Sequence, residues 1–154
     1  LRRRQRQMCI RDRKRCRDAS YAAYDRALAY WSGNVGVLNN YAYFLSLEGR
    51  DLMRALDMAG RVVAMTDNNP TYLDTYAWVL FKLGRLAEAK KTMQQAISLD
   101  SQNSPDLQAH YGDILFALGE RFMAEVYWRK ALDNGFDADE ITRRLEQLKA
   151  TADP

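Results

Sequence analysis

The sequence predicts an all-α fold, a solenoid of antiparallel helix pairs ended by a capping helix. Two observations carry that prediction. The first is a register: Gly49, Gly84 and Gly119 stand 35 residues apart, as do Tyr41, Tyr76 and Tyr111, and Leu45, Leu80 and Leu115 follow one turn later. The second is the rhythm inside one unit, Pro70 to Asn103. There Leu73, Tyr76, Ala77 and Leu80 fall at i, i+3, i+4 and i+7, one apolar stripe on a helix, and Ala89, Met93, Ala96 and Ile97 make a second stripe. A single pair cannot bury both stripes, so it needs a copy of itself on each side, and the sequence supplies the copies.

The elements follow in chain order. Residues 1–13, LRRRQRQMCIRDR, hold six Arg and one Asp. The whole chain has 23 basic and 20 acidic residues, so without this segment 17 and 19 remain and a net charge of +3 becomes −2. A basic run at a chain start can be a nucleic-acid arm, a nuclear targeting patch or a transit peptide. Arg3 to Arg13, however, matches residue for residue the translation of a sequencing-library adapter and transposon end. We therefore read 1–13 as artefactual and disordered, and leave it out of the fold. On that reading the chain is a fragment truncated at its N-terminal side, any signal peptide or lipid-anchor cysteine is lost, and Cys16 is the one remaining cysteine, with no disulfide framework.

Residues 14–34 read as the second helix of a truncated repeat, Lys14 to Tyr30, closed by the turn Ser32-Gly33-Asn34. Tyr21 and Tyr24 are expected on a face left open by the missing first helix. Three full pairs come next. Repeat one covers 35–69 with helices over 35–48 and 51–65, repeat two 70–104 with helices over 70–83 and 86–99, and repeat three 105–135 with helices over 105–118 and 121–134. Pro70 and Pro105 suit a first helical turn, where the missing N–H would be unpaired anyway. The glycines suit the position just past a helix end, where a left-handed backbone carries no Cβ penalty. Ala89 is expected at a helix crossing and Lys90 on the outer face. In 136–154, Asp137 and Glu140 have capping-box spacing and Phe136 and Ile141 that of a hydrophobic staple. Ile141, Leu145 and Leu148 form one narrow stripe on a helix over 137–150, a polar-backed cap for the array, and the natural C-terminus is expected near Pro154.

The register resembles the tetratricopeptide repeat, whose W-x2-L-G-x2-Y…A-x3-F…P pattern recurs at about 34 residues. The Trp position holds Leu38, Leu73 and Gln108, and the L-G pair becomes Tyr41-Ala42, Tyr76-Ala77 and Tyr111-Gly112. The A-x3-F pair becomes Ala55/Ala59, Ala89/Met93 and Ala124/Trp128, while Asp67, Ser101 and Gly135 stand where proline is usual. The match covers about Ser20 to Gly135, and within the family NNYAYFLSLEGRD and LDTYAWVLFKLGR look most like repeat tails of bacterial envelope-associated proteins. The resemblance implies a right-handed superhelix whose first helices line a concave face. It also implies that the contacts there come from set repeat positions: Asn39, Asp74 and Ala109; Tyr43, Trp78 and Asp113; Ser46, Phe81 and Phe116; with Lys82 beside them. Tyr43, Trp78, Phe81 and Phe116 would form an aromatic strip, the kind of rigid anchor a peptide or helix desolvates. These side chains could instead pack on neighbouring first helices or on the missing N-terminal repeats. The family's carboxylate clamp is not reproduced, because Asp74 and Asp113 would repel an acidic tail.

Chemistry is sparse elsewhere. The single histidine, His110, reads as a partly exposed helix residue without a nucleophile or metal ligands around it. No Gly-rich phosphate loop, no basic stripe for nucleic acid and no apolar run long enough to span a membrane occurs once 1–13 are set aside. We expect no cofactor, no metal and no enzymatic activity. The expectation is a non-catalytic module that binds a protein or peptide in the concave groove, the C-terminal part of a larger bacterial scaffold or assembly protein. The alternative is a structural extension that stacks on upstream repeats carrying the binding surface. The resemblance favours periplasm or cell envelope over cytoplasm.

Overall fold

The computed structural model describes the backbone of residues 2–150 and the side chains of residues 14–150. Eight α-helices account for it: α1 (Arg2–Tyr30), α2 (Val35–Glu48), α3 (Leu52–Met65), α4 (Pro70–Lys82), α5 (Leu86–Leu99), α6 (Pro105–Ala117), α7 (Arg121–Asp133) and α8 (Ala138–Ala150). The tail 151–154, with the expected C-terminus, lies outside the described residues, as do the side chains of 1–13. One boundary departs from expectation. α1 begins at Arg2 rather than Lys14, so the segment expected to be disordered has a helical backbone. Arg, Gln and Met are good helix formers, and no Gly or Pro interrupts the run. A resemblance to adapter sequence bears on where residues come from, not on whether they can be helical.

The helix ends repeat one hydrogen-bond pattern. Gly49, Gly84, Gly119 and Gly135 all have positive φ. The N–H after each reaches back to close the last turn: Arg50 to Leu45, Arg85 to Leu80, Glu120 to Leu115 and Phe136 to Ala131, at 2.9–3.0 Å. This is the Schellman arrangement, which satisfies carbonyls that the helix end would leave open. At the starts, the Asn34 side chain accepts from Val37 N at 3.1 Å and the Asn69 side chain from Thr71 N at 3.0 Å. Asp137 caps α8 by accepting from Glu140 N at 2.9 Å.

Successive helices pack in antiparallel pairs, and the first helices α2, α4 and α6 also touch one another directly. The first-helix layer is thus the inner one. Two hydrophobic clusters result. Leu38, Tyr41, Ala42, Leu45, Ala55, Met58, Ala59 and Val62 build the first, and Val79 of α4 completes it. Leu73, Ala77 and Leu80 of the same helix enter the second cluster, with Ala89, Met93, Ile114, Trp128 and Ile141. α4 therefore joins both cores.

One further expectation is corrected. Tyr21 and Tyr24 do not face an empty side; both lie on Tyr41, with ring centroids 5.3 and 5.2 Å away. α2 turns an aromatic face to α1, and Arg54 of α3 locks the contact by donating to the Tyr41 hydroxyl at 3.1 Å and to Asp25 at 2.6 Å. Lys90, expected on the outer face, has a partner there. Its Nζ donates to Glu120 at 2.6 Å, tying α5 to the start of α7. Ala89 is fully buried, as its crossing position requires.

Candidate functional site

The inner layer carries the candidate site. On α4, Asp74, Trp78 and Phe81 share one face at i, i+4 and i+7, and on α6 Asp106, His110 and Asp113 do the same. Stacking α4 on α6 brings these faces together. His110 Nδ1 lies 2.8 Å from Asp74 Oδ1 and 3.1 Å from Oδ2. A carboxylate can only accept, so Nδ1 carries the proton. The imidazole also stacks on Trp78, centroids 4.3 Å apart and planes 28° from parallel. His110 is partly exposed, as expected, but it is held by Asp74 and Trp78 rather than standing free. Burial opposes its charged form, but Asp74, and beyond it Asp113 and Asp106, hold its pKa above the ordinary imidazole value.

Trp78 itself is only 8% exposed. Phe81 packs against it at 4.9 Å, and Lys82 Nζ sits 4.9 Å over its ring. The expected open aromatic anchor is therefore largely a packing residue, clamped between α6 and its own next turn. Its indole Nε1 is buried without a hydrogen-bond partner among the described residues.

α8 folds back on this face. Arg144 donates to Asp113 through Nε at 2.8 Å and Nη2 at 3.0 Å, and Trp128 Nε1 donates to the same carboxylate at 3.0 Å. Asp113 is consequently engaged by the protein. Phe116 rests against Trp128, centroids 5.5 Å apart, in the core and away from Trp78. Ala109 and Ser46 are fully buried, and Asn39 is partly buried with Oδ1 lacking a partner among the described residues. The structure therefore brings together Tyr43, Asp74, Trp78, Phe81 and Lys82, and leaves Asn39, Phe116 and Asp113 in other roles.

Between α2, α4, α6 and α8 lies a cavity of about 540 Å³, lined among others by Tyr43, Trp78, Asp106, His110, Glu140 and Arg144. Of these, Asp106, His110, Glu140 and Arg144 are not among the residues expected from the sequence. The i, i+4, i+7 spacing of Asp106, His110 and Asp113 was the available signal. The half-buried Tyr43 hydroxyl is pushed up by burial and then by Asp74, Asp106 and Glu140. Among the described residues no serine, threonine or cysteine lines the cavity. Among the described residues no cluster of His, Cys, Asp and Glu could hold a metal ion, and no helix is long and apolar enough to cross a membrane.

The family model of the tetratricopeptide repeat matches residues 70–103, the α4–α5 pair. No curated protein sequence matches the chain significantly. Among solved structures, the first tetratricopeptide-repeat domain of human RPAP3 aligns at TM-score 0.67 and 20% identity, over 75% of this chain and 90% of that one. TTC0263, a thermophilic tetratricopeptide-repeat protein of Thermus thermophilus, aligns at 0.67 and 17%, over 82% and 70%. The second such domain of human RPAP3, in complex with the HSP70 peptide SGPTIEEVD, aligns at 0.62 and 22%, over 73% and 92%. At these identities the likeness establishes the fold: an all-α superhelical solenoid of antiparallel pairs.

Proposed function

We propose that this tetratricopeptide-repeat array is a non-catalytic interaction module that takes a segment of a partner protein on its inner face, beside Tyr43 and Trp78. The observation that carries the reading is the cavity of about 540 Å³ on the first-helix side, walled by aromatic rings and fixed polar groups. A related fold that holds the peptide SGPTIEEVD supports it. The placement of Asp74, Asp106 and Glu140 argues against an acidic peptide of that kind here, since like charges across a contact are unfavourable. We further place the module at the C-terminal part of a larger bacterial scaffold of the cell envelope, a reading that rests on sequence resemblance. The test is photo-crosslinking from position 43, with exposed Lys91 of α5 as the control position. Adducts of defined mass in a bacterial extract from position 43 alone would support the groove, and equal labelling from both positions would refute it.

A second reading, continuation of the solenoid, has its own observation. Phe44, Val79 and Ile114 occupy the same place in successive repeats, yet Val79 and Ile114 are 0% exposed and Phe44 is 45% exposed. A first helix stacked on α2 would cover Phe44 as α2 and α4 cover the other two. Crosslinking from position 44 in place of 43 distinguishes this reading.

A further inference from the structure

The chain holds seven asparagines, and Asn134 is the one followed by glycine. That pair forms the joint between α7 and α8. Asn134 ends α7 at φ −92° and ψ 6°, and Gly135 turns left-handed at φ +99°. Both residues are exposed. A Cβ built on Gly135 would meet no atom within 4 Å, so the space beside its backbone is open.

An asparagine amide can be attacked by the backbone nitrogen of the next residue. Here the Gly135 nitrogen would bond to Asn134 Cγ as the Cγ–Nδ2 bond breaks. The proton from the Gly135 nitrogen leaves with ammonia, and a five-membered succinimide closes. Water then opens the ring at either carbonyl, giving aspartate or isoaspartate, the latter with the chain routed through Cβ. A side chain on the attacking residue crowds that closure, and glycine has none. The other six asparagines are followed by Val35, Asn40, Tyr41, Asn69, Pro70 and Ser104, and Pro70 has no N–H to give.

The folded joint restrains the reaction without burying it. Asn134 Nδ2 donates to Gln108 Oε1 at 2.8 Å and to the Lys130 carbonyl at 3.0 Å, and Gly135 N donates to the Leu132 carbonyl at 3.0 Å. Ring closure needs rotation about the Asn134 Cα–C bond, so it proceeds when the last turn of α7 opens. Helix ends are among the places where such local opening costs least.

The products do not fit the joint. Isoaspartate adds a methylene to the chain, out of step with the bonds from Gly135 to Leu132 and from Phe136 to Ala131. Phe136 packs on the second core cluster, Asp137 caps α8, and α8 carries Arg144 to Asp113. Either product also places a negative charge at the C-terminus of α7, where the helix dipole opposes it. We propose that Asn134–Gly135 is a self-modifying site, which converts through a succinimide to isoaspartate and aspartate and thereby unseats α8.

Ageing the full chain at mildly alkaline pH tests this, read by peptide mapping and by methyl transfer from a protein-isoaspartate methyltransferase. Asn134 should gain the mass of an amide-to-acid exchange, and the isoaspartate signal, before any other asparagine. Asn134→Gln, which would have to close a six-membered ring, should slow conversion there at least about tenfold, about 1.4 kcal/mol on the barrier. The converted fraction, separated by charge, should melt about 2–4 °C below the fresh protein. An Asn134 that stays intact in the folded chain, or conversion first at Asn103, would overturn the proposal. The urea-unfolded chain aged alongside shows whether the sequence or the folded turn prevents it. Conversion at Asn134 with an unchanged melting temperature would overturn the unseating of α8 and leave the site standing.

Discussion

Trp128 lies directly on Gly112: a Cβ built there would come within 2.5 Å of the indole Nε1. The two preceding repeats place Ala42 and Ala77 where repeat three has Gly112, and Ala59 and Met93 where it has Trp128. Repeats two and three each set a small residue of the first helix against a large one of the second, and the smaller Gly112 accompanies the larger Trp128, as close packing between paired helices requires. Gly112→Ala should therefore destabilise the array by about 1–3 kcal/mol, despite the better helix propensity of alanine. In a Trp128→Met background, which imitates the Ala77/Met93 pair, the same change should become neutral or stabilising. Thermal melts of the four proteins give the coupling directly; additive effects would contradict this pairing of small with large.

Position-matched core residues should respond differently according to what covers them. Ile114 is wholly buried against α4, so Ile114→Ala should remove about 2–5 kcal/mol of stability. Phe44 stands at the same place in repeat one and is nearly half exposed. Phe44→Ala should lower stability by less than about 1 kcal/mol although it deletes more atoms. Chemical denaturation midpoints of the two variants check the order, and a reversal would mean that α2 is covered by something else.

Much of this architecture was legible beforehand because its signals are local. Asn34, Asn69-Pro70 and the 35-residue glycine register mark helix ends within a residue or two, since caps act over a single turn. The α1 start was not legible, because a helix without an explicit cap can run on through Arg and Gln as readily as stop at Lys14. The site was read less well. Asp74 and His110 are 36 residues apart in sequence and meet only because α4 stacks on α6. Repeat position likewise names Trp78 and Asp113 as groove residues, but it carries no information on where α8 returns. Arg144 and Trp128 take Asp113 out of the groove, and His110 covers Trp78.

The Asp74–His110 pair makes stability depend on pH with a definite sign. The pKa of folded His110 lies above its free value of 6.5, Asp74 overcoming the opposing effect of burial. The protonated form is therefore favoured by folding. Its contribution is complete below about pH 6.5 and is lost as the pH rises through the folded pKa. The melting temperature should fall across that window in the native chain, and the fall should be smaller in His110→Asn. Because carboxylates elsewhere titrate at lower pH, the difference between the two proteins from about pH 6 upward is the quantity to read. Parallel curves for the two would rule out His110 as the titrating group.

Trp78 and Tyr43 should separate stability from recognition. Trp78 is clamped by His110 on one side and by Phe81 and Lys82 on the other, so Trp78→Ala removes a packed ring and also uncovers the Asp74–His110 pair. The expected loss is about 3–5 kcal/mol, enough to melt a repeat array of this size at moderate temperature. Any binding defect in that variant is then uninformative about contact. Tyr43 is half-buried at the cavity wall, and its ring touches Phe44 rather than the α4–α6 clamp. Tyr43→Ala should leave the melting temperature within a few degrees and weaken capture of a groove ligand by roughly tenfold, the share typical of a lesser aromatic contact. If Trp78→Ala instead folds normally and Tyr43→Ala melts, the inner face is built around Tyr43, and this cavity is not the binding surface.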